Sequence, residues 1–109
     1  MIQQVYILAC ELGKYYVGIT HNIDKRIYAH TTGEGAAWTR LYKPLELIYL
    51  SPGNEAKETA MTLIYMRKFG WDNVRGGKYT EINMGAPKVF KFTPEEAELY
   101  RYIAIPPKY

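Results

Sequence analysis

Residues 4–20 read QVYILACELGKYYVGIT, and the fold is decided by how this stretch turns back on itself. Residues 2–10 are rich in β-branched and aromatic types and read as a strand. Glu11-Leu12-Gly13 forms a three-residue turn, with Gly13 able to take the left-handed conformation of a bulged hairpin. Residues 14–20 (KYYVGIT) return as the second strand. A loop of this length pairs Cys10 with Lys14, Leu8 with Tyr16 and Tyr6 with Gly18, and paired residues share a face. Tyr6 and Tyr16 then stand on one face, with Gly18 leaving space beside Tyr6. Val5, Ile7, Ala9, Val17 and Ile19 line the other face as a core surface. A two-residue loop would slip the register and send the tyrosines to opposite faces, so the reading depends on the turn.

Beyond the hairpin, Asn22 reads as a helix cap, with Ile23, Ile27 and His30 following at helical spacing to an end near Gly33. Residues 33–44 (GEGAAWTRLYKP) read as a loop, and residues 45–50 (LELIYL) as a third strand. Asn54 caps a second helix that runs to about Phe69, with Ala56, Ala60, Leu63 and Ile64 as its buried stripe and Gly70 as its stop. WDNVRGGKY, residues 71–79, reads as a loop, and residues 79–92 leave room for a short strand. Thr93-Pro94-Glu95-Glu96 combines a cap, a first-position proline and a capping-box glutamate, which starts a short helix to about Ala104. The expected fold class is α/β (α+β), a three-stranded, mainly antiparallel sheet flanked by helices in the order β-β-α-β-α-loop-α.

The chain has 109 residues, enough for one compact domain over residues 1–109, and no internal repeat or second-domain linker stands out. Hydrophobic residues make up 48% and charged residues 23%, an ordinary globular balance that excludes a disordered chain. The net charge of +3 permits a polyanionic partner without demanding one. Tyrosine is the unusual component, at 11 residues. Its ring and hydroxyl suit both base stacking and wet strand edges. The single cysteine, Cys10, excludes an internal disulfide and fits a reducing compartment. No apolar run reaches the length of a membrane span, and the start MIQQVYILACELGK lacks a secretory pattern. A cytoplasmic protein is the expectation.

Several side chains can carry chemistry. Tyr6 and Tyr16 place two hydroxyls on one face, although a phenol with an ordinary pKa of about 10 needs help to act as a base near neutrality. Arg26, with His30 four residues on, lies on one face of the first helix. A guanidinium there suits two phosphate oxygens, and an imidazole suits proton transfer. Glu58 lies beside the buried stripe of the second helix, where one carboxylate can hold a Mg²⁺ that keeps most of its waters. Asn73, Arg75 and the Gly76-Gly77 pair can present amides to a phosphate or form a simple loop. Each of these residues, taken singly, has an ordinary structural reading as well.

Taken together, they resemble the GIY-YIG nuclease domain. The first motif stands as Gln4-Val5-Tyr6, which departs at the glycine and keeps the tyrosine; the second stands as Tyr16-Val17-Gly18. The family's arginine falls on Arg26 in DKRIYAH, its histidine on His30, its metal-binding glutamate on Glu58 and its asparagine on Asn73. The stretch GEGAAWTRLYKPLELIY is similar to the family's connection from first helix to third strand. The resemblance spans residues 2–77 and leaves 78–109 as a C-terminal extension. It implies a Mg²⁺- or Mn²⁺-dependent endonuclease that hydrolyses DNA phosphodiesters. Glu58 would hold one ion, Tyr6 would activate water with Tyr16 beside it, and Arg26 would hold the scissile phosphate.

On this reading Gly18, Lys25, Trp38, Arg40, Lys43, Asn73 and Arg75 belong to the substrate-binding surface. The cations, with Arg67, Lys68 and Lys78, would make salt-sensitive backbone contacts. Trp38 either stacks on a base or anchors its loop. The expected partners are nucleic acid, with DNA placed before RNA, and a protein that supplies targeting; no membrane is expected. The rival reading is a non-catalytic module that keeps the fold and binds nucleic acid or a partner.

Overall fold

The hairpin closes in the register that its turn dictates. In the computed structural model, which describes residues 2–85 and Pro94, strands β1 (Gln4–Cys10) and β2 (Lys14–Thr20) pair antiparallel, with Tyr6 opposite Gly18, Leu8 opposite Tyr16 and Cys10 opposite Lys14. The turn is tighter than one left-handed glycine: Leu12 (φ 60°) joins Gly13 (φ 70°) in the left-handed region. Outside glycine that conformation costs roughly 1–2 kcal/mol. Leu12 is exposed, so no packing opposes it.

Helix α1 (Ile23–Thr31) begins where Asn22 accepts the Lys25 N–H through its side chain. Strand β3 (Pro44–Pro52) follows on the outer side of β1. Helix α3 (Glu55–Phe69) is capped in the same way, by Asn54 accepting from Lys57, and stops at Gly70 with φ 94°.

Two elements depart from the sequence reading. Residues 37–41, inside the expected loop, form a short helix α2 (Ala37–Leu41), pinned by buried Trp38. The Trp38 indole N–H donates to the Tyr15 carbonyl at 3.0 Å. Within WDNVRGGKY, Val74–Gly76 form a fourth strand, β4, parallel to β2 and pairing Tyr16 with Arg75. Among the described residues the sheet therefore has four strands in the order β3-β1-β2-β4, and the fold class stands as a mixed α/β sheet flanked by helices. The expected helix from Thr93 to Ala104 lies outside the described residues except for Pro94, which is helical. Residues 79–85 add only an isolated bridge from Tyr79 to Gly76, and residues 86–92 lie outside the described set. Among the described residues, no helix is long and apolar enough to cross a membrane.

Period-two alternation divides the interior into two cores. Val5, Ile7 and Val17 face one way and pack with Met61, Leu63 and Met66 of α3 and Val74 of β4. Tyr6, Leu8, Cys10 and Tyr16 face the other way and pack with Trp38 of α2 and Ile23 and Ile27 of α1. Each fully buried aliphatic side chain contributes roughly 1.5–3 kcal/mol through its removal from water. The second core is built around phenols and an imidazole as well as hydrocarbon, and this mixture marks the site.

Candidate active site

Tyr6 and Tyr16 lie next to one another on the α1 face of the sheet, with ring centroids 6.4 Å apart. Space for the Tyr6 hydroxyl comes from Gly18: a Cβ at that position would collide with the phenol oxygen. His30, on the last turn of α1, is fully buried against both rings, at 5.7 Å from Tyr6 and 5.1 Å from Tyr16 between centroids. A second glycine, Gly35, gives the imidazole its room, since a Cβ there would strike Nδ1.

One imidazole tautomer satisfies every hydrogen bond around the ring. Thr39 donates its hydroxyl proton to the Ala36 carbonyl at 3.0 Å. Its oxygen, 2.8 Å from His30 Nδ1, therefore accepts from the Nδ1–H. That leaves Nε2 as the acceptor, and the Tyr6 hydroxyl donates to it at 2.7 Å. Burial, and after it the Arg26 guanidinium, pushes His30 down to about 4, so the ring is neutral at pH 7 and its basic lone pair faces Tyr6.

Arg26 is exposed on α1, and its guanidinium acts to favour the ionised form of the Tyr6 phenol. Tyr6 is nonetheless held well above the usual phenol range, first by burial and then by Tyr16, with Arg26 acting in the opposite direction. Tyr16 is raised by burial and by Glu58. Glu58 reaches this cluster from the first turn of α3 and interacts electrostatically with Tyr6, Tyr16 and Arg26. Burial and neighbouring Glu55 push Glu58 up to about 7, against a backbone hydrogen bond from Gly77 that favours its charge. A half-buried carboxylate of raised proton affinity is one whose charge is under-compensated by the protein, and a hard divalent ion with oxygen ligands suits such a donor. Among the described residues, no group of three or more His, Cys, Asp or Glu side chains forms a multi-ligand cage. An ion that retains its waters is the kind this donor set fits.

The remaining residues singled out in the sequence are dispersed. Lys25 joins Arg26, Asn22, Thr20 and exposed His21 around a cleft of about 390 Å³ at the start of α1. Arg40 bonds the Gly35 carbonyl at 3.4 Å from the surface, and Lys43 is exposed beside the hairpin turn, where its carbonyl accepts the Glu11 N–H. Trp38 is buried and serves as an anchor, not as an open stacking platform.

Asn73 and Arg75 depart furthest from the substrate-binding expectation, because their polar groups are spent inside the protein. The Asn73 amide donates to the Phe69 carbonyl and accepts from Lys14 Nζ, at 2.6 and 2.7 Å. Arg75 is buried and donates to the carbonyls of Glu81, Trp71, Val74 and Ile82 at 2.6–3.0 Å. The paired glycines likewise send the Gly77 amide to Glu58. Nothing in the sequence pattern marks Thr39, Gly35 or His21. A threonine and a glycine in a polar loop have no periodicity to reveal them, and only the folded position of His30 gives them meaning.

Comparison with known proteins identifies the family. Residues 3–66 match the family model described as the GIY-YIG catalytic domain. A UPF0213 protein of Bacillus cereus is 43% identical over 63 residues, covering 58% of this chain and 65% of its own length. A UPF0213 protein of Neisseria meningitidis serogroup C is 42% identical over 57 residues, covering 52% and 62%. One from Streptococcus pneumoniae is 41% identical over 58 residues, covering 53% and 58%. The chain thus spans less than two thirds of the length of these relatives. No solved structure matches. With the family model covering more than half of the chain and the two tyrosines gathered with Arg26, His30 and Glu58, the protein belongs to the GIY-YIG family of nuclease domains.

Proposed function

We propose that the protein is a metal-dependent endonuclease that hydrolyses DNA phosphodiesters at the Tyr6 cluster. The observation that carries the reading is the 2.7 Å hydrogen bond between the Tyr6 hydroxyl and Nε2 of neutral His30, beside an exposed arginine. A phenol held above its usual range is a poor base by itself. Coupled to His30 it accepts a proton from water while passing its own to Nε2, so no free phenolate has to accumulate. The water oxygen then bonds phosphorus, and the bond to the leaving oxygen breaks. Arg26 takes the phosphate oxygens in its fork and stabilises the charge that grows there.

Phosphate binding also prepares the base. Arg26 is one of the two causes that hold His30 down, and a phosphate paired with that guanidinium offsets its charge. His30 therefore becomes a better proton acceptor when substrate is bound. Thr39 keeps the Nδ1 proton in place, which prevents the wrong tautomer from facing Tyr6. Glu58 would hold a Mg²⁺ or Mn²⁺ ion with most of its waters, and the chemistry that ion supplies is charge stabilisation at the leaving oxygen. Tyr16 packs against the histidine and limits its tilt. Targeting by a protein partner and residence in the cytoplasm accompany this reading.

The test is cleavage of single-stranded, duplex, nicked and branched DNA with Mg²⁺ or Mn²⁺, with Glu58→Ala as control. Cleavage that requires Glu58 and the metal supports the reading. Binding to DNA without cleavage of any substrate, unchanged in Glu58→Ala, would replace it with the non-catalytic module.

A further inference from the structure

Both tryptophans of the chain line a cleft of about 600 Å³ that the reaction above does not use. It lies at the hairpin-turn end of the sheet. Its floor is the Arg75 guanidinium, stacked on the Trp38 ring at 4.5 Å. Half-buried Trp71 and Tyr42 form part of its walls, and Lys14 and Asp72 line it as well. The volume lies within the roughly 300–1,000 Å³ range of small-ligand sites. The cleft is also built rigidly. Four backbone carbonyls immobilise Arg75, two of which, from Glu81 and Ile82, tie down the segment that forms the far wall. Lys14 lies 5.1 Å from the Tyr42 ring centroid, and its bond to Asn73 uses one of the three donors of an ammonium.

Its position relative to the Tyr6 cluster points to an occupant. Lys14, Tyr16 and Gly18 share one face of β2, and Arg75 pairs directly beside Tyr16. Two residues of strand separate Lys14 from Tyr16, about 7 Å. That face of β2 is covered by Trp38 and the packed Tyr6 cluster, so a polyanionic strand held at exposed Arg26 would reach the cleft over the outside of this packing. There it would meet the half-buried rings of Trp71 and Tyr42, a lysine and an immobile cation, which is the composition of a base-stacking platform.

We infer that this cleft takes an unpaired nucleobase flanking the scissile phosphate, stacked against Trp71 and Tyr42, with Lys14 on the adjoining backbone. The inference rests on the nuclease reading and makes it specific, because an unpaired base exists only in single-stranded, frayed or branched substrate. Its selectivity would be for strand state and not sequence, since every base has a stacking face.

Intrinsic emission reads the site directly, because the only two tryptophans both line the cleft. The experiment titrates the full chain, without metal, with a single-stranded deoxyoligonucleotide and with the same sequence as a blunt duplex. Emission and the anisotropy of a labelled strand are followed together, and wild type is compared with Trp71→Leu and Lys14→Gln. The expected result is saturable quenching by the single strand, little quenching by the duplex, and single-strand affinity reduced roughly 5- to 100-fold in Trp71→Leu. Lys14→Gln should weaken binding and lower the salt slope while the fold, checked by circular dichroism, is kept. Binding seen by anisotropy with unchanged emission, and equal affinity in Trp71→Leu, would overturn the cleft while leaving the nuclease reading intact. Absence of binding to either oligonucleotide, together with absence of cleavage, would overturn both.

Discussion

Arg26 and Arg75 both flank the sheet face that carries the two tyrosines, one from α1 and the other from β4. Their surroundings differ. Arg26 is exposed, and its influence is felt by Tyr6, Tyr16, His30 and Glu58. Arg75 is buried, has its donors on four carbonyls, and lies over Trp38. The same side chain is open to solvent beside the tyrosines in one place and an internal clamp in the other. What separates the two roles is whether the guanidinium still has donors facing water.

That contrast breaks first under paired alanine substitutions, where the largest effects are expected. Arg26→Ala should lower cleavage about 10²–10³-fold by removing charge stabilisation at the phosphate. Its unfolding free energy should stay within about 0.5 kcal/mol of wild type. Arg75→Ala should do the opposite in kind: it leaves buried carbonyls without donors and should cost roughly 3 kcal/mol or more in urea unfolding. If Arg75→Ala is as stable as wild type, the clamp is misassigned.

The same contrast shows how far the sequence could be read. Hairpin register was legible because turn length and alternation agree on a single pairing, so the shared face of Tyr6 and Tyr16 followed. Helix starts were legible because Asn22 and Asn54 cap through their own side chains, a local signal. Arg26, His30 and Glu58 were legible as a joint pattern, and the structure gathers them around Tyr6. Strand β4 was not, because three residues carry no period and its partner β2 is distant in sequence and parallel. The five residues of α2 lie between glycines and lysine and are held by tertiary contacts of Trp38. Arg75 and Asn73 looked like loop polar groups, and only burial reveals that their partners are backbone carbonyls and Lys14.

Smaller substitutions sharpen the account of the catalytic side. Gly18→Ala and Gly35→Ala each push a methyl into the cluster, onto the Tyr6 oxygen and the His30 ring respectively. Overpacking of this kind costs roughly 1–3 kcal/mol, and cleavage should fall more steeply than stability because the proton path is displaced. Thr39→Val keeps shape and removes the acceptor of the His30 Nδ1 proton. A loss of about tenfold in kcat with KM nearly unchanged is expected, from about 1–2 kcal/mol of lost orientation. Equal losses in KM would assign Thr39 to substrate binding instead.

A further test lies in pH dependence. His30 is lowered from its ordinary 6.5 to about 4, so between those values the unfolded chain binds a proton that the folded one does not. Its contribution to stability is present above pH 6.5 and is lost as pH falls toward 4. Glu58, raised to about 7, acts in the opposite direction over pH 7 to 4.5. Denaturation curves of wild type and His30→Gln at pH 7, 6, 5 and 4 isolate the histidine. The stability difference between them should shrink on acidification, and a constant difference would mean that His30 is not held neutral.

The most direct test of the central claim is the cleavage rate of Tyr6→Phe at saturating Mg²⁺ and DNA, set beside wild type. The substitution keeps the ring and its packing and removes only the oxygen that bonds His30. A loss of about 10²–10⁴-fold with DNA affinity retained is expected, as for a group that moves a proton in the transition state. Cleavage at the wild-type rate would contradict it and remove Tyr6 from the chemistry.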